Sequence, residues 1–385
     1  MTAPSPDKLL RQLASTLPRM IADLESLVRC ESPSDDLAAT ARCADLVAEL
    51  GADLLGARPE RLDLDGRATL RWRFGAGEGS ASGDGGVLLL GHLDTVWPHG
   101  TLDRLPFTSS GGRITGPGCF DMKSGLVQML HALAALDDLD GVTVLVTSDE
   151  EIGSQSSRAL IEEEARRASA ALVLEAGVDG ALKTARKGGS FHRLHVTGRP
   201  AHAGLEPERG ANAAIELAHQ ILAITDLADL AEATTVTPTV ARAGQTSNTV
   251  PDTASVAVDV RAFSIEEQRR VAEALRALRP KVPGTSLRVE DIATRPPMPP
   301  SACAALFARA GRVAGELGLE PLRGVAVGGG SDGNLTAAVG TPTLDGLGAV
   351  GGGAHADGEH VIAQMMPERS ALLAALVADL LGGAG

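Results

Sequence analysis

The chain has no tyrosine, and its aromatic side chains amount to six Phe and two Trp in 385 residues. Platforms on which bases or sugar rings stack are therefore excluded, and no tyrosine can act as a catalytic acid. Basic residues are also in short supply. The 35 Lys and Arg against 49 Asp and Glu leave a net charge of −14, the wrong sign for a nucleic-acid backbone or an anionic membrane surface. Any anion must be held by a few placed Arg or Lys side chains. The four cysteines, Cys30, Cys43, Cys119 and Cys303, include no Cys-x-x-Cys pair. Their spacing fits neither a disulfide framework nor a thiolate zinc site, and they read as small buried hydrophobes. No run approaches the ~20 apolar residues of a spanning helix. Asp7, Lys8, Arg11 and Arg19 interrupt the segment where a signal peptide would need a continuous apolar stretch. The expectation is a cytoplasmic protein with no nucleic-acid or membrane partner.

What is present is a chain that is 44% apolar and long enough for two domains. Leu9, Leu10, Leu13, Leu17, Ile21, Leu24 and Leu27 recur at helical spacing over 5–30. A second helix is expected over 38–50, ended by Gly51. The glycine- and serine-rich stretch 75–86 reads as a turn or loop. Strand-like runs then alternate with helices over 122–136 and 156–167, the order of a mostly parallel sheet flanked by helices. From Lys187 the order changes to strand, helix, strand, strand, helix, strand, which is ferredoxin-like. An α/β domain of residues 1–186 and 298–385 is therefore expected to carry an inserted α+β domain, 187–297. The proline-rich segment 295–300 forms its stiff exit.

Candidate chemistry gathers where the strand-like runs end, as ligands do in such sheets. Gly-His-Leu-Asp-Thr (91–95) follows the apolar run 87–90, and Asp121 follows a glycine-rich approach. Glu150 and Glu151 follow the run 142–146, Glu175 follows 171–174, and His355 closes a glycine run. Taken singly, a His or an acid at a strand end is more often a solvated group or a cap. Taken together they are what a two-metal hydrolytic centre needs. Two ions roughly 3.5–4 Å apart must share a carboxylate, and Asp121 suits that role because glycines let the backbone turn sharply before it. One ion then falls to His92, Asp121 and Glu175, the other to Asp121, Glu151 and His355. The mixture of imidazole and carboxylate suits Zn²⁺, with Co²⁺ or Mn²⁺ as substitutes. Asp94 returns to the side of His92 along a strand and can take its other ring N–H. Glu150 is the candidate general base: on extended backbone it points away from its neighbour Glu151, which frees it to serve water. His131 and His219 fall within helices and read as packing or surface residues, and His360 as the start of a strand.

These residues lie in longer motifs: Gly-His-Leu-Asp-Thr-Val (91–96), Gly-x-Gly-x-x-Asp-Met-Lys-x-Gly (116–125) and Asp-Glu-Glu-x-Gly-Ser (149–154). Gly-Arg-Pro-Ala-His-Ala-Gly (198–204), Asn-Thr-Val-Pro (248–251), Asp-Val-Arg (259–261) and Gly-Gly-Gly-Ser-Asp (328–332) follow. With Glu175, the set resembles the zinc-dependent peptidase family M20 of aminoacylases, acetylornithine deacetylases and glutamate carboxypeptidases. Among these it is most similar to the bacterial glutamate carboxypeptidases. The resemblance implies two Zn²⁺ per subunit, a cis peptide at Asp121–Met122, and a smaller lid domain through which a homodimer forms. It implies that His202 reaches the partner's site and steadies the oxyanion, where the bland alternative is a turn cap. It marks Asn248, Arg261 and Arg295 as substrate contacts, Arg being the natural grip for a carboxylate, although Arg261 could instead belong to a structural ion pair. Gly330 and Ser331 are implied as further donors to that carboxylate. The substrate would be a small peptide or N-acyl amino acid, releasing a C-terminal residue such as glutamate. The rival reading is an N-acyl amino acid deacylase such as acetylornithine deacetylase, with the same metal residues. A non-catalytic metal-binding homologue is a third, and the presence of Glu150 and His202 speaks against it.

Overall fold

Val87, Leu88, Leu89 and Leu90 are all buried. Consecutive strand residues face opposite ways, so this segment must be covered on both faces. The computed structural model, which describes residues 6–75 and 85–382, supplies both covers. In chain order the elements are α1 (Pro6–Arg29), α2 (Leu37–Leu55), β1 (Glu60–Leu64), β2 (Arg67–Arg73), β3 (Gly86–His92), α3 (Ser124–Ala134), β4 (Val142–Thr147), α4 (Arg158–Arg167) and β5 (Ala168–Val173). With the short strand Thr343–Leu344 they build a six-stranded sheet of order β1, β2, β4, β3, β5, Thr343–Leu344. The strand pairs β3–β4, β3–β5 and β5–Thr343–Leu344 are parallel, and the β1–β2 and β2–β4 pairs are antiparallel. Val87 and Leu89 pack into one core with Leu13 of α1, Val47 of α2, Leu126 of α3 and Leu376 of the C-terminal helix Met365–Gly382. Leu88 and Leu90 face a smaller cluster with Ile161 and Ala165 of α4 and with Leu335.

The chain divides into two compact units: Met1–Thr184 with Pro300–Ala326 and Ser331–Gly385, and Ala185–Pro299 with Val327–Gly330. The second contains β6 (Gly188–Thr197), α5 (Ala213–Thr225), β7 (Thr235–Ala243), β8 (Thr253–Ala262), α6 (Ile265–Ala277) and β9 (Ser286–Arg295). Its sheet order is β7, β8, β6, β9, antiparallel throughout, the ferredoxin-like arrangement. Alternate residues Val256, Val258 and Val260 of β8 form its core with Leu217 of α5 and Val271 of α6.

Several expected boundaries move. Gly51 does not end α2; the helix runs on to Leu55 and closes at Gly56, whose φ is 68°. Gly51 is a packing residue, since a Cβ there would lie 2.4 Å from Cζ2 of Trp72. The helix expected over 122–136 begins at Ser124, because the irregular turn Cys119–Lys123 occupies the approach. Arg295 is the last residue of β9 rather than part of the proline segment. His131 is buried against Asp23, His219 is exposed on α5, and His360 opens the short strand His360–Ile362. The expected loop at 75–86 falls largely in 76–84, outside the described residues.

Candidate metal centre

Parallel strands deliver the site residues from their carboxyl ends. His92 is the final residue of β3, and Glu175 lies two residues beyond β5. Glu150 and Glu151 open a single tight turn, Glu150–Ile152, just past β4. That turn corrects the extended backbone expected for the pair, yet it still sends the two carboxylates to different partners. Asp121 sits in the turn Cys119–Lys123, joined to Met122 by a cis peptide. His355 follows the glycine run with left-handed backbone, φ 60°, a sparsely populated region for a non-glycine residue.

The two oxygens of Asp121 face two different histidines. Oδ1 is 3.5 Å from Nε2 of His92, and that same nitrogen is 3.5 Å from Oε1 of Glu175. Oδ2 is 3.4 Å from Nε2 of His355, which in turn is 3.2 Å from Oε2 of Glu151. These separations exceed a charge-assisted hydrogen bond of about 2.8 Å. They match the edge, about 3.4 Å, of a tetrahedron whose corners lie about 2.1 Å from a central zinc ion. Two sets of candidate ligand atoms, one each from His92, Asp121 and Glu151 and one each from His92, Glu150 and Glu175, lie within 4.8 Å of one another. Nε2 of His92 and Oε1 of Glu151 are two of nine buried side-chain polar atoms among the described residues that have no hydrogen-bond partner. Buried polar atoms are seldom left so, and both belong to the ligand set. The donors present therefore fit divalent metal ions.

Electrostatics agrees. Burial would raise the Asp121 carboxyl, but His355 and His92 outweigh it and hold it well below the usual carboxylate range. Burial pushes Glu151 up despite His355 beside it. His92 is pulled well above its ordinary value by Asp121, Asp94 and Glu175, against strong opposition from burial. His355 is pushed up to about 10 by Asp121 and Glu151. Four carboxylates (Asp121, Glu150, Glu151 and Glu175) surround two imidazoles, a surplus of negative charge that cations relieve.

Asp94 is fully buried beneath this cluster. Nδ1 of His92 meets its backbone carbonyl oxygen at 3.0 Å, closer than its carboxylate at 3.5 Å. The carbonyl accepts the Nδ1–H, so the neutral ring that a metal ion would bind turns its Nε2 lone pair to the cluster. The carboxylate instead accepts the Ser34 hydroxyl at 2.7 Å and the backbone N–H groups of Glu150 and Glu151 at 3.3 Å each. Two residues that the sequence did not single out also belong here. Lys183 Nζ lies 3.4 Å from Oε2 of Glu175, and Glu359 accepts the backbone N–H of Asp121 at 3.0 Å. Lys183 lies in a half-buried strand and Glu359 in a polar loop, so neither carries a distinctive pattern.

The expected substrate contacts are distributed as follows. Arg261 and Arg295 both stand opposite Gly189, on the strands either side of β6. The Arg261 fork is shared with Asp259 at 2.7 and 3.0 Å and stacks over Phe191. His202 and Asn248 are exposed and adjacent: Ala203 N–H donates to the Asn248 carbonyl at 2.9 Å. The Gly330 carbonyl accepts from Arg186 at 3.0 Å. Ser331 corrects an expectation. Its hydroxyl donates to Asp345 at 2.6 Å and its amide to the Asn334 side chain at 2.9 Å, so both donors are spent, and its Oγ accepts the Gly333 N–H at 3.0 Å to cap the helix Asp332–Ala338.

Comparison with known proteins gives a consistent picture. The sequence model of peptidase family M20/M25/M40 matches residues 88–379. Carboxypeptidase G2 of Pseudomonas sp. (strain RS-16) is 32% identical over 403 residues, covering 98% of this chain and 93% of that protein. Acetylornithine deacetylase of Pasteurella multocida (strain Pm70) is 34% identical over 175 residues, covering 43% of this chain and 44% of that protein. The crystal structure of aminopeptidase PepT from Bacillus cereus ATCC 10987 superposes with a TM-score of 0.74 at 21% identity, covering 94% of this chain and 98% of that one. At that identity the likeness speaks for the fold.

Proposed function

The chain belongs to peptidase family M20/M25/M40, a hydrolase acting on peptide or amide bonds, and on that premise we propose a zinc carboxypeptidase with two ions per subunit. The observation that carries this reading is Asp121, one oxygen toward each histidine. His92, Asp121 and Glu175 would hold one ion, and Asp121, Glu151 and His355 the other. Bound there, the ions supply Lewis acidity that polarises a carbonyl oxygen and acidifies a water.

The rest is done by side chains. Glu150, clustered with His92 and Glu175, takes the proton of the attacking water and returns it to the leaving amine. His202 is proposed to donate to the oxyanion. Its Nδ1 accepts the Gly204 N–H at 3.1 Å, so in the neutral ring the proton resides on Nε2, where a donor is needed. Arg261 and Arg295, both opposite Gly189, would grip the substrate carboxylate with Gly330 as a further contact, whereas Asn248, beside His202 at the other end of the β6–β8 pairing, would contact substrate together with His202. A guanidinium shared with Asp259 is held in place for that task.

The released residue is proposed to be glutamate or a similar amino acid, as the resemblance of the motifs to glutamate carboxypeptidases implies, and the name of the Pseudomonas relative supports release of a C-terminal residue. The deacetylase relatives favour N-acyl amino acids as the second reading. A panel of C-terminal glutamyl amides, dipeptides and N-acetyl amino acids, assayed after chelation and Zn²⁺, Co²⁺ or Mn²⁺ readdition, separates them. Preferential turnover of the glutamyl amides is expected. Preference for acetyl substrates would replace the first reading with the second.

A homodimer through the second unit is part of the proposal. β7 is an edge strand, and Val240 on it is exposed, as are Ile215 and Leu222 of α5. Such an edge is a template for pairing. A single monomer-mass species in sedimentation equilibrium would refute it. Among the described residues no helix is long and apolar enough to cross a membrane. The four cysteines are free thiols, in keeping with the reducing cytoplasm, where the enzyme is proposed to work.

A further inference from the structure

Four residues after His355, Glu359 is 2% exposed and has no part in the chemistry above. Its carboxylate accepts four hydrogen bonds. Oε1 takes the backbone N–H groups of Phe120 at 2.9 Å and Asp121 at 3.0 Å. Oε2 takes the Gly118 N–H at 2.9 Å and the indole N–H of Trp97 at 2.7 Å. A carboxylate offers about four acceptor positions, and all are used.

The donors come from two segments that carry ligands. Gly118, Phe120 and Asp121 form the turn that presents Asp121, and Trp97 lies on the loop leaving His92 and Asp94. Glu359 itself lies on the loop of His355. We propose that Glu359 is a positioning residue that ties the His92, Asp121 and His355 segments together and so sets the geometry in which Asp121 faces both histidines. The inference rests on the metal-centre reading above.

The bond to the Asp121 N–H is the decisive one. It fixes the backbone at the residue whose two oxygens must diverge, whereas a carboxylate that merely neutralised buried amides would have no reason to join three ligand segments. Partners of this kind, removed from around metal ligands, cost about 10–100-fold in metal affinity or activity.

Glu359→Gln is the informative substitution. It keeps the shape but replaces one acceptor oxygen with an NH₂ group, which cannot accept. One pair of donors is then left buried and unpaired, either Phe120 and Asp121 or Gly118 and Trp97. Trp97→Phe removes a single bond and keeps an aromatic ring. Glu164→Gln is the control. Glu164 is also buried and accepts from Arg71 at 2.8 Å and from Arg73, but it touches no ligand segment.

The experiment is Zn²⁺ titration of the chelated full chain in competition with a chromogenic chelator, with thermal midpoints recorded in parallel. E359Q is expected to bind Zn²⁺ about tenfold more weakly or worse, and W97F more weakly by a smaller factor. E164Q is expected to lower the midpoint and leave Zn²⁺ affinity unchanged. At saturating Zn²⁺, E359Q should lose kcat with KM retained, because Glu359 is not placed at the substrate. Wild-type Zn²⁺ affinity in folded E359Q or W97F, or an equal loss in E164Q, overturns the proposal. Should E359Q fail to fold, W97F decides. Failure of the wild-type chain itself to bind Zn²⁺ would instead remove the proposed function.

Discussion

Glu150 and Glu151 both donate their backbone N–H groups to Asp94, yet their carboxylates part company. Glu151 turns to His355, while Glu150 joins His92 and Glu175. General-base work by a positioned carboxylate contributes about 10²–10⁴-fold. Glu150→Gln should therefore keep its metal, measured by elemental analysis, and lose kcat by that factor with KM little changed. Wild-type turnover in metal-loaded E150Q would remove Glu150 from the mechanism. The residues gathered around Asp121 were legible in the sequence because each is a metal-binding type placed where a strand runs out or where a glycine run ends. The bonds made by Asp94 and Glu359 were not, because most of them run to backbone N–H groups. Glu359 reaches an amide 241 positions away in the chain, and no side-chain pattern records that.

Elements were legible where periodicity sets them and misread where packing overrides a local signal. Gly51 looked like a stop because glycine usually follows a helix. Its reason to be glycine is Trp72, on a strand that the helix sequence does not mention. Gly51→Ala sets two effects against each other. Alanine favours a helix interior by ~1 kcal/mol, while a Cβ 2.4 Å from Trp72 overpacks the core at a cost of ~1–3 kcal/mol. Overpacking should win, lowering the denaturant midpoint by up to ~2 kcal/mol in stability; a stabilised G51A would contradict the close packing.

The α1–α3 contact gives a pH dependence. Nε2 of His131 meets Asp23 at 2.8 Å, and Asp23 also pairs with Arg19 at 2.9 Å. Burial lowers the His131 pKa more than Asp23 raises it. The folded chain therefore favours the neutral ring. The stability it contributes is present above the unfolded value of about 6.5 and is lost as pH falls toward the folded one. The thermal midpoint should decline on acidification below about pH 6.5 more steeply in the wild type than in His131→Leu. Parallel curves would contradict this.

At the scale of the whole molecule, the change in element order near Lys187 made the insertion of one unit within another visible in the sequence. The ferredoxin-like arrangement of the second unit was visible there too, but the strand order of the first unit's sheet was not, because pairing between distant strands is decided by packing faces rather than by local pattern. The parallel core of the first unit explains the location of the chemistry. Strands β3, β4 and β5 end side by side, and His92, Glu150, Glu151 and Glu175 leave from those ends. Glycine-rich turns then bring Asp121 and His355 to meet them. The account stands or falls on Asp121 being shared by two ions. Anomalous diffraction at the zinc edge from crystals of the zinc-loaded chain tests this most directly. It should reveal two peaks roughly 3.5–4 Å apart, one beside Asp121 Oδ1, His92 and Glu175, the other beside Asp121 Oδ2, Glu151 and His355. A single peak, or a pair bridged by any other residue, would contradict it.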